Sequence, residues 1–83
     1  MVTKQLSFQQ MANLDLHMAA ELVNVASRYL STVYVRYDRG RVHLGSLIGV
    51  LAIPTLKGER YVLEVNGEDE ERALKAILRA LGA

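Results

Sequence analysis

Thr32-Val33-Tyr34-Val35-Arg36-Tyr37-Asp38-Arg39-Gly40-Arg41-Val42-His43-Leu44 is the stretch that decides the fold. Its first six residues are dense in β-branched and aromatic side chains, Asp38-Arg39-Gly40 has turn chemistry, and Arg41 to Leu44 alternates polar with apolar. The pattern predicts a β-hairpin. Strands that alternate with a period of two have one dry face and one wet face. That favours an antiparallel sheet covered on one side over a parallel sheet buried on both.

Toward the N-terminus, Val2, Leu6 and Phe8 fall on one parity and Thr3, Gln5 and Ser7 on the other, which predicts a strand over Val2–Phe8. Beyond Asp15, the residues Leu16, Ala19, Ala20, Val23, Ala26, Ser27 and Leu30 recur at helical spacing, with small side chains where a helix could approach a sheet closely. Toward the C-terminus, Ser46 can cap a short helix over the apolar run Leu47–Ile53, and Pro54 stops it. Lys57-Gly58 reads as a turn, and Tyr61, Leu63 and Val65 share one face of a last strand. Four acids, Glu68 to Glu71, then precede Leu74, Ile77, Leu78 and Leu81 at helical spacing, with Lys75 and Arg79 further along. The resulting order is β-α-β-β-α-β-α. One α+β domain over residues 1–83 is expected, an open-faced sandwich of a four-stranded antiparallel sheet with three helices on one face.

A chain of 83 residues has room for one core, and without cysteine it has no disulfide or thiolate metal site to supplement packing. With 51% hydrophobic residues, disorder is excluded. Ten basic residues against nine acidic ones give no support to a nucleic-acid partner. The charges are nevertheless uneven, with Arg28, Arg36, Arg39 and Arg41 in one stretch and the acids near the end. A solvated face and an acidic first helical turn account for most of this. No secretory progression opens the chain, and no apolar run reaches the roughly 18 to 20 residues that span a bilayer, so a cytoplasmic protein without membrane insertion is expected. His17 and His43 form no metal-ligand spacing with an acid, and neither a metal nor a cofactor is implied.

Three segments in one register carry a family resemblance. Asn13-Leu14-Asp15-Leu16-His17-Met18-Ala19-Ala20 aligns without gaps to the pattern G-L-H-A-R-P-A-A, matching at Leu14, Ala19 and Ala20. Ser46-Leu47-Ile48-Gly49-Val50-Leu51 with Lys57-Gly58 is similar to S-I-M-G-I-M followed by K-G, and Gly67-Glu68-Asp69-Glu70 matches G-E-D-E. The chain thus resembles, over essentially its whole length, the histidine-containing phosphocarrier (HPr) family of the bacterial sugar phosphotransferase system. Family members relay phosphate between proteins and are not themselves enzymes.

In that family a histidine at the start of the first helix takes phosphate from enzyme I and passes it on. Neutral imidazole is nucleophilic near pH 7, while a helix N-terminus and a nearby arginine stabilise the anion. Here Asp15, His17 and Met18 stand in place of the histidine, arginine and proline. A carboxylate that accepts phosphate normally works with a divalent cation held by further acids, and no acid follows Asp15 before Glu21. Aspartate is among the best N-caps, so Asp15 is expected to cap the helix. His17 is the alternative acceptor, but two residues on a helix turn a side chain by about 200°. An exposed, non-catalytic His17 is expected, and His43 is read as an ordinary sheet residue.

Ser46 matches the family's regulatory serine, which HPr kinase/phosphorylase modifies in some bacteria. A phosphoserine at a helix N-terminus meets backbone amides and a favourable dipole, and Leu47, Ile48 and Leu51 could form a docking patch beside it. A plain N-cap is the competing reading of Ser46. The resemblance points to the catabolite-repression subgroup, Crh, which also lacks the acceptor histidine. It implies protein partners: phosphotransferase-system enzymes, HPr kinase/phosphorylase or a transcription regulator. The surface expected to meet them comprises Asp15, His17, Met18, Ser46, Leu47, Ile48 and Leu51. Three functions stay open: a regulatory or docking homologue, a carrier using His17, and a binding module that kept only the fold, with Arg28, Arg36, Arg39 and Arg41 as a basic site. Exposed sheet edges leave a monomer or a strand-swapped homodimer open.

Overall fold

The computed structural model describes residues 1–82. The chain runs β1 (Val2–Leu6), α1 (Phe8–Ala12), α2 (Leu16–Ala26), β2 (Thr32–Tyr37), β3 (Gly40–His43), α3 (Leu47–Leu51), β4 (Tyr61–Asn66) and α4 (Glu70–Ala80). All strand pairs are antiparallel, in the order β1-β4-β2-β3. The expected α+β sandwich is present, with one element more than the alternation predicted.

The added element is α1. Alternation suggested that the first strand would continue to Phe8, but it ends at Leu6. There the Ser7 hydroxyl accepts from the backbone N–H of Gln10 at 3.1 Å, and the Gln10 side chain accepts from the Ser7 N–H at 2.7 Å. This reciprocal capping box satisfies two amide donors that a strand edge would leave to water. A five-residue helix follows, and it buries Met11.

Cross-strand register explains why one face is dry. Val33 faces Val65, and Val35 faces Leu63, so the apolar parities of β2 and β4 coincide. With Tyr61 they are essentially buried. Ala19, Leu22 and Ala26 of α2 and Ala73 and Ile77 of α4 close over them in a single cluster. Tyr61 lies wholly inside, and its hydroxyl is satisfied by accepting from the Leu56 N–H at 3.1 Å and donating to the Pro54 carbonyl.

The buried stripe of α2 differs from the one expected. Its centre lies at Ala19, Leu22 and Ala26, whereas Leu16 and Ala20 are exposed. At 100° per residue, Ala20 sits about 125° from that centre and Leu16 about 85°, so neither can reach the sheet. Leu30 is 80% exposed because the helix has already ended at Ala26 and its periodicity no longer applies.

A carboxylate clamp joins the segment after α2 to the start of α4. The Leu30 N–H donates to Asp69 Oδ2 at 2.9 Å, and Asp69 Oδ1 accepts from the Ser31 N–H at 2.9 Å and the Ser31 hydroxyl at 2.6 Å. These bonds, the Ser31 hydroxyl first, hold the Asp69 carboxyl below its ordinary pKa. Beside it, the Gly67 N–H donates to Glu70 Oε1 at 3.2 Å, and the N-terminal ammonium lies 3.2 Å from the same oxygen. Both lower the Glu70 pKa, the Gly67 bond more.

Candidate functional site

The seven expected surface residues come from two elements that pack against each other, the N-terminal turn of α2 and the short helix α3. Asp15 is the N-cap of α2: its backbone is extended, and Oδ1 accepts from the Met18 N–H at 2.8 Å. The carboxylate thus satisfies one of the helix's unpaired amides and sits at the positive end of its dipole. This is the arrangement that aspartate in this position predicts. Asp15 and His17 are both exposed, and Met18 is half-buried. His17 lies close to the opposite side of α2 from Leu22, so its ring faces solvent on the outer flank of the helix.

Ser46 is the N-cap of α3, its hydroxyl accepting from the Gly49 N–H at 3.1 Å. Its side chain is exposed, and its bond to Gly49 leaves the hydroxyl proton uncommitted. Val50 anchors α3 in the core, which turns Ile48 outward to 82% exposure and Leu51 to 45%, while Leu47 is half-buried. Leu16, expected inside, is 62% exposed in the first turn of α2, next to Asp15. Each of the two capped helix starts therefore has exposed apolar side chains in its own helix, Leu16 in α2 and Ile48 and Leu51 in α3. Helical spacing groups Leu16 with Ala19 and Ala20, and it is packing against the sheet that centres the buried stripe on Ala19, Leu22 and Ala26 and leaves Leu16 outside.

Gly49 shapes this corner. A Cβ there would lie 3.0 Å from Val42 Cγ1 and 3.2 Å from Ser46 Oγ, so a larger residue would press on the capping hydroxyl. His43 is a sheet residue, as expected. Its ring packs edge-on against Tyr34 with centroids 5.1 Å apart, and its Nδ1 accepts from the Gly45 N–H at 3.0 Å.

The four arginines do not form one site. Arg36, Arg39 and Arg41 surround the β2–β3 turn, whereas Arg28 lines a groove between α2 and α4 with Arg79. Among the described residues, no helix is long and apolar enough to cross a membrane.

Comparison with known proteins agrees with this layout. The family model described as the PTS HPr component phosphorylation site matches residues 2–82. The phosphocarrier protein HPr of Lysinibacillus sphaericus is 30% identical over 81 residues, covering 98% of this chain and 92% of that protein. The HPr-like protein Crh of Halalkalibacterium halodurans is 28% identical over 78 residues, covering 94% and 93%. The crystal structure of Bacillus subtilis Crh, described as a swapped dimer, superposes with a TM-score of 0.74 at 29% identity, over 83% of this chain and 79% of that one. With Asp15 at the start of α2, Ser46 at the start of α3 and the matching sheet behind them, the chain belongs to the HPr family of phosphotransferase-system proteins.

Proposed function

We propose that this protein is a non-catalytic regulatory or docking homologue that acts through Ser46 and does not relay phosphate through a histidine. The observation that carries the reading is Asp15. Where the family places an imidazole, this chain has a carboxylate already engaged as a helix cap. A carboxylate is a poor acceptor without a cation, and its negative charge repels an incoming phosphoryl group.

Ser46 supports the second half of the reading. Its exposed hydroxyl stands at the start of α3, the helix that carries the exposed Ile48 and Leu51. Phosphorylation there would add nearly two charges where the first amides of the helix favour an anion. A partner could then pair an apolar contact with a phosphate contact. A transcription regulator or a phosphotransferase-system protein is the expected partner, and the catabolite-repression description of the Bacillus subtilis Crh structure supports a regulatory one.

Two incubations test this. With phosphoenolpyruvate and enzyme I, no histidine phosphate is expected; an acid-labile, base-stable phosphate on His17 would establish the carrier function instead. With HPr kinase/phosphorylase and ATP, mass spectrometry is expected to find one phosphate on Ser46. An unmodified Ser46 sinks the regulatory half.

A further inference from the structure

The sheet face opposite the helices carries residues that neither the core nor the Asp15–Ser46 surface uses. Register places Arg36 beside Arg41 and Val62, and Tyr34 beside His43 and Glu64, all on this open side. Two adjoining depressions share Arg36, Tyr37 and Asp38. One, of about 300 Å³, is completed by Arg60 and Val62; the other, of about 430 Å³, by Arg39, Gly40 and Arg41. Among the described residues, four guanidinium groups thus line these depressions with one carboxylate, Asp38, while Glu64 pairs with Arg36 beside them. Arg36 is held in place by its Nε donating to Glu64 Oε2 at 2.9 Å, and its two terminal nitrogens make no hydrogen bond among the described residues.

We infer that this face docks an extended acidic segment of a partner protein. Charge complementarity selects the occupant, because Arg36, positioned by Glu64, and Arg41, stacked on Tyr34, stand with the exposed Arg39 and Arg60 along shallow, open depressions that suit carboxylates spaced along a chain. Single-stranded nucleic acid fits less well. It needs free aromatic faces for base stacking, and the Tyr34 ring is already covered by Arg41 at 4.3 Å and flanked by His43. The edge strand β3, paired only with β2, gives an extended segment a line to follow beside Arg39 and Arg41. The face lies across the sheet from Asp15 and Ser46, so an acidic partner could be held while the helical surface is engaged. The inference does not depend on Ser46 being phosphorylated.

The test is an NMR titration of the whole protein with a hexaglutamate peptide, repeated with inorganic phosphate and with an oligouridylate. Saturable shifts confined to β2, β3 and the start of β4 are expected with the peptide. Arg60→Gln, which breaks no ion pair among the described residues, should weaken binding at least five-fold at unchanged thermal stability, and Arg36→Gln should weaken binding as much while lowering stability by releasing Glu64. Arg28→Gln with Arg79→Gln, in the other basic groove, should leave it unchanged. Equal weakening by both sets, shifts centred on α2 and α4, saturation by phosphate alone at the same affinity, or tighter binding of the oligouridylate would each overturn the inference.

Discussion

Gly67→Ala is the substitution that most directly tests how the acidic start of α4 is joined to the rest of the fold. Gly67 has φ +156°, and a Cβ there would lie 2.6 Å from both Cα and Oγ of Ser31 and 2.9 Å from its Cβ. Ser31 cannot swing aside, because its N–H and hydroxyl are both held by Asp69. Alanine in such a backbone conformation costs about 1–3 kcal/mol in strain. Forcing Ser31 away costs about another 1–3 kcal/mol as overpacking. The sum, about 2–6 kcal/mol, is a large part of the roughly 5–15 kcal/mol that stabilises a domain. At roughly 4–8 °C per kcal/mol for a domain of this length, the melting temperature should fall by at least about 8 °C.

Gly58→Ala supplies the control. Gly58 has φ +86° but nothing within 4 Å of its Cβ position, so it isolates the conformational penalty, about 1–2 kcal/mol. Thermal unfolding followed by circular dichroism compares the two, and the amide signals of Leu30 and Ser31 report whether the clamp has moved. If the two variants melt within a few degrees of each other, the close approach of Gly67 to Ser31 does not limit stability and the reasoning fails.

Acid should weaken the fold through the same clamp. Asp69 and Glu70 titrate below their unfolded values, so between the folded and unfolded pKa values the unfolded chain binds more protons and stability falls as pH falls. Their contribution should be complete above about pH 5 and decline below it, and Asp69→Asn should flatten the decline seen in urea melts from pH 6 to pH 3. The two helix caps should behave alike: Asp15→Ala and Ser46→Ala should each cost about 1 kcal/mol in chemical denaturation, whereas Ser46→Asp should stay within about 0.5 kcal/mol of the parent. A neutral Asp15→Ala would remove the capping role assigned to that carboxylate.

How much was legible beforehand follows from the range of the interactions involved. The caps at Asp15 and Ser46, the hairpin turn at Asp38–Gly40 and the apolar parity of Tyr61, Leu63 and Val65 all depend on residues within four positions of each other, and each was visible in the order of residues. The helix Phe8–Ala12 was equally local, since its capping box is Ser7 with Gln10. Alternation masks it, because Phe8 extends the pattern of the preceding strand by one more step. The stripe of α2 was misplaced for a different reason: a run rich in alanine and leucine offers several helical phases, and only contact with the sheet selects one.

The sequence by itself determined the four strands, three of the four described helices, the family resemblance, and the replacement of the acceptor histidine by Asp15, because propensity, capping and motif spacing act along the chain. Tertiary structure alone decided which arginines share a surface and that Leu16 joins Ile48 and Leu51 in solvent. It also set the Asp69 clamp on Leu30 and Ser31, whose partners are 39 and 38 residues apart. Those outcomes depend on register and packing between distant segments, and a pattern with a period of two or of 3.6 cannot encode them.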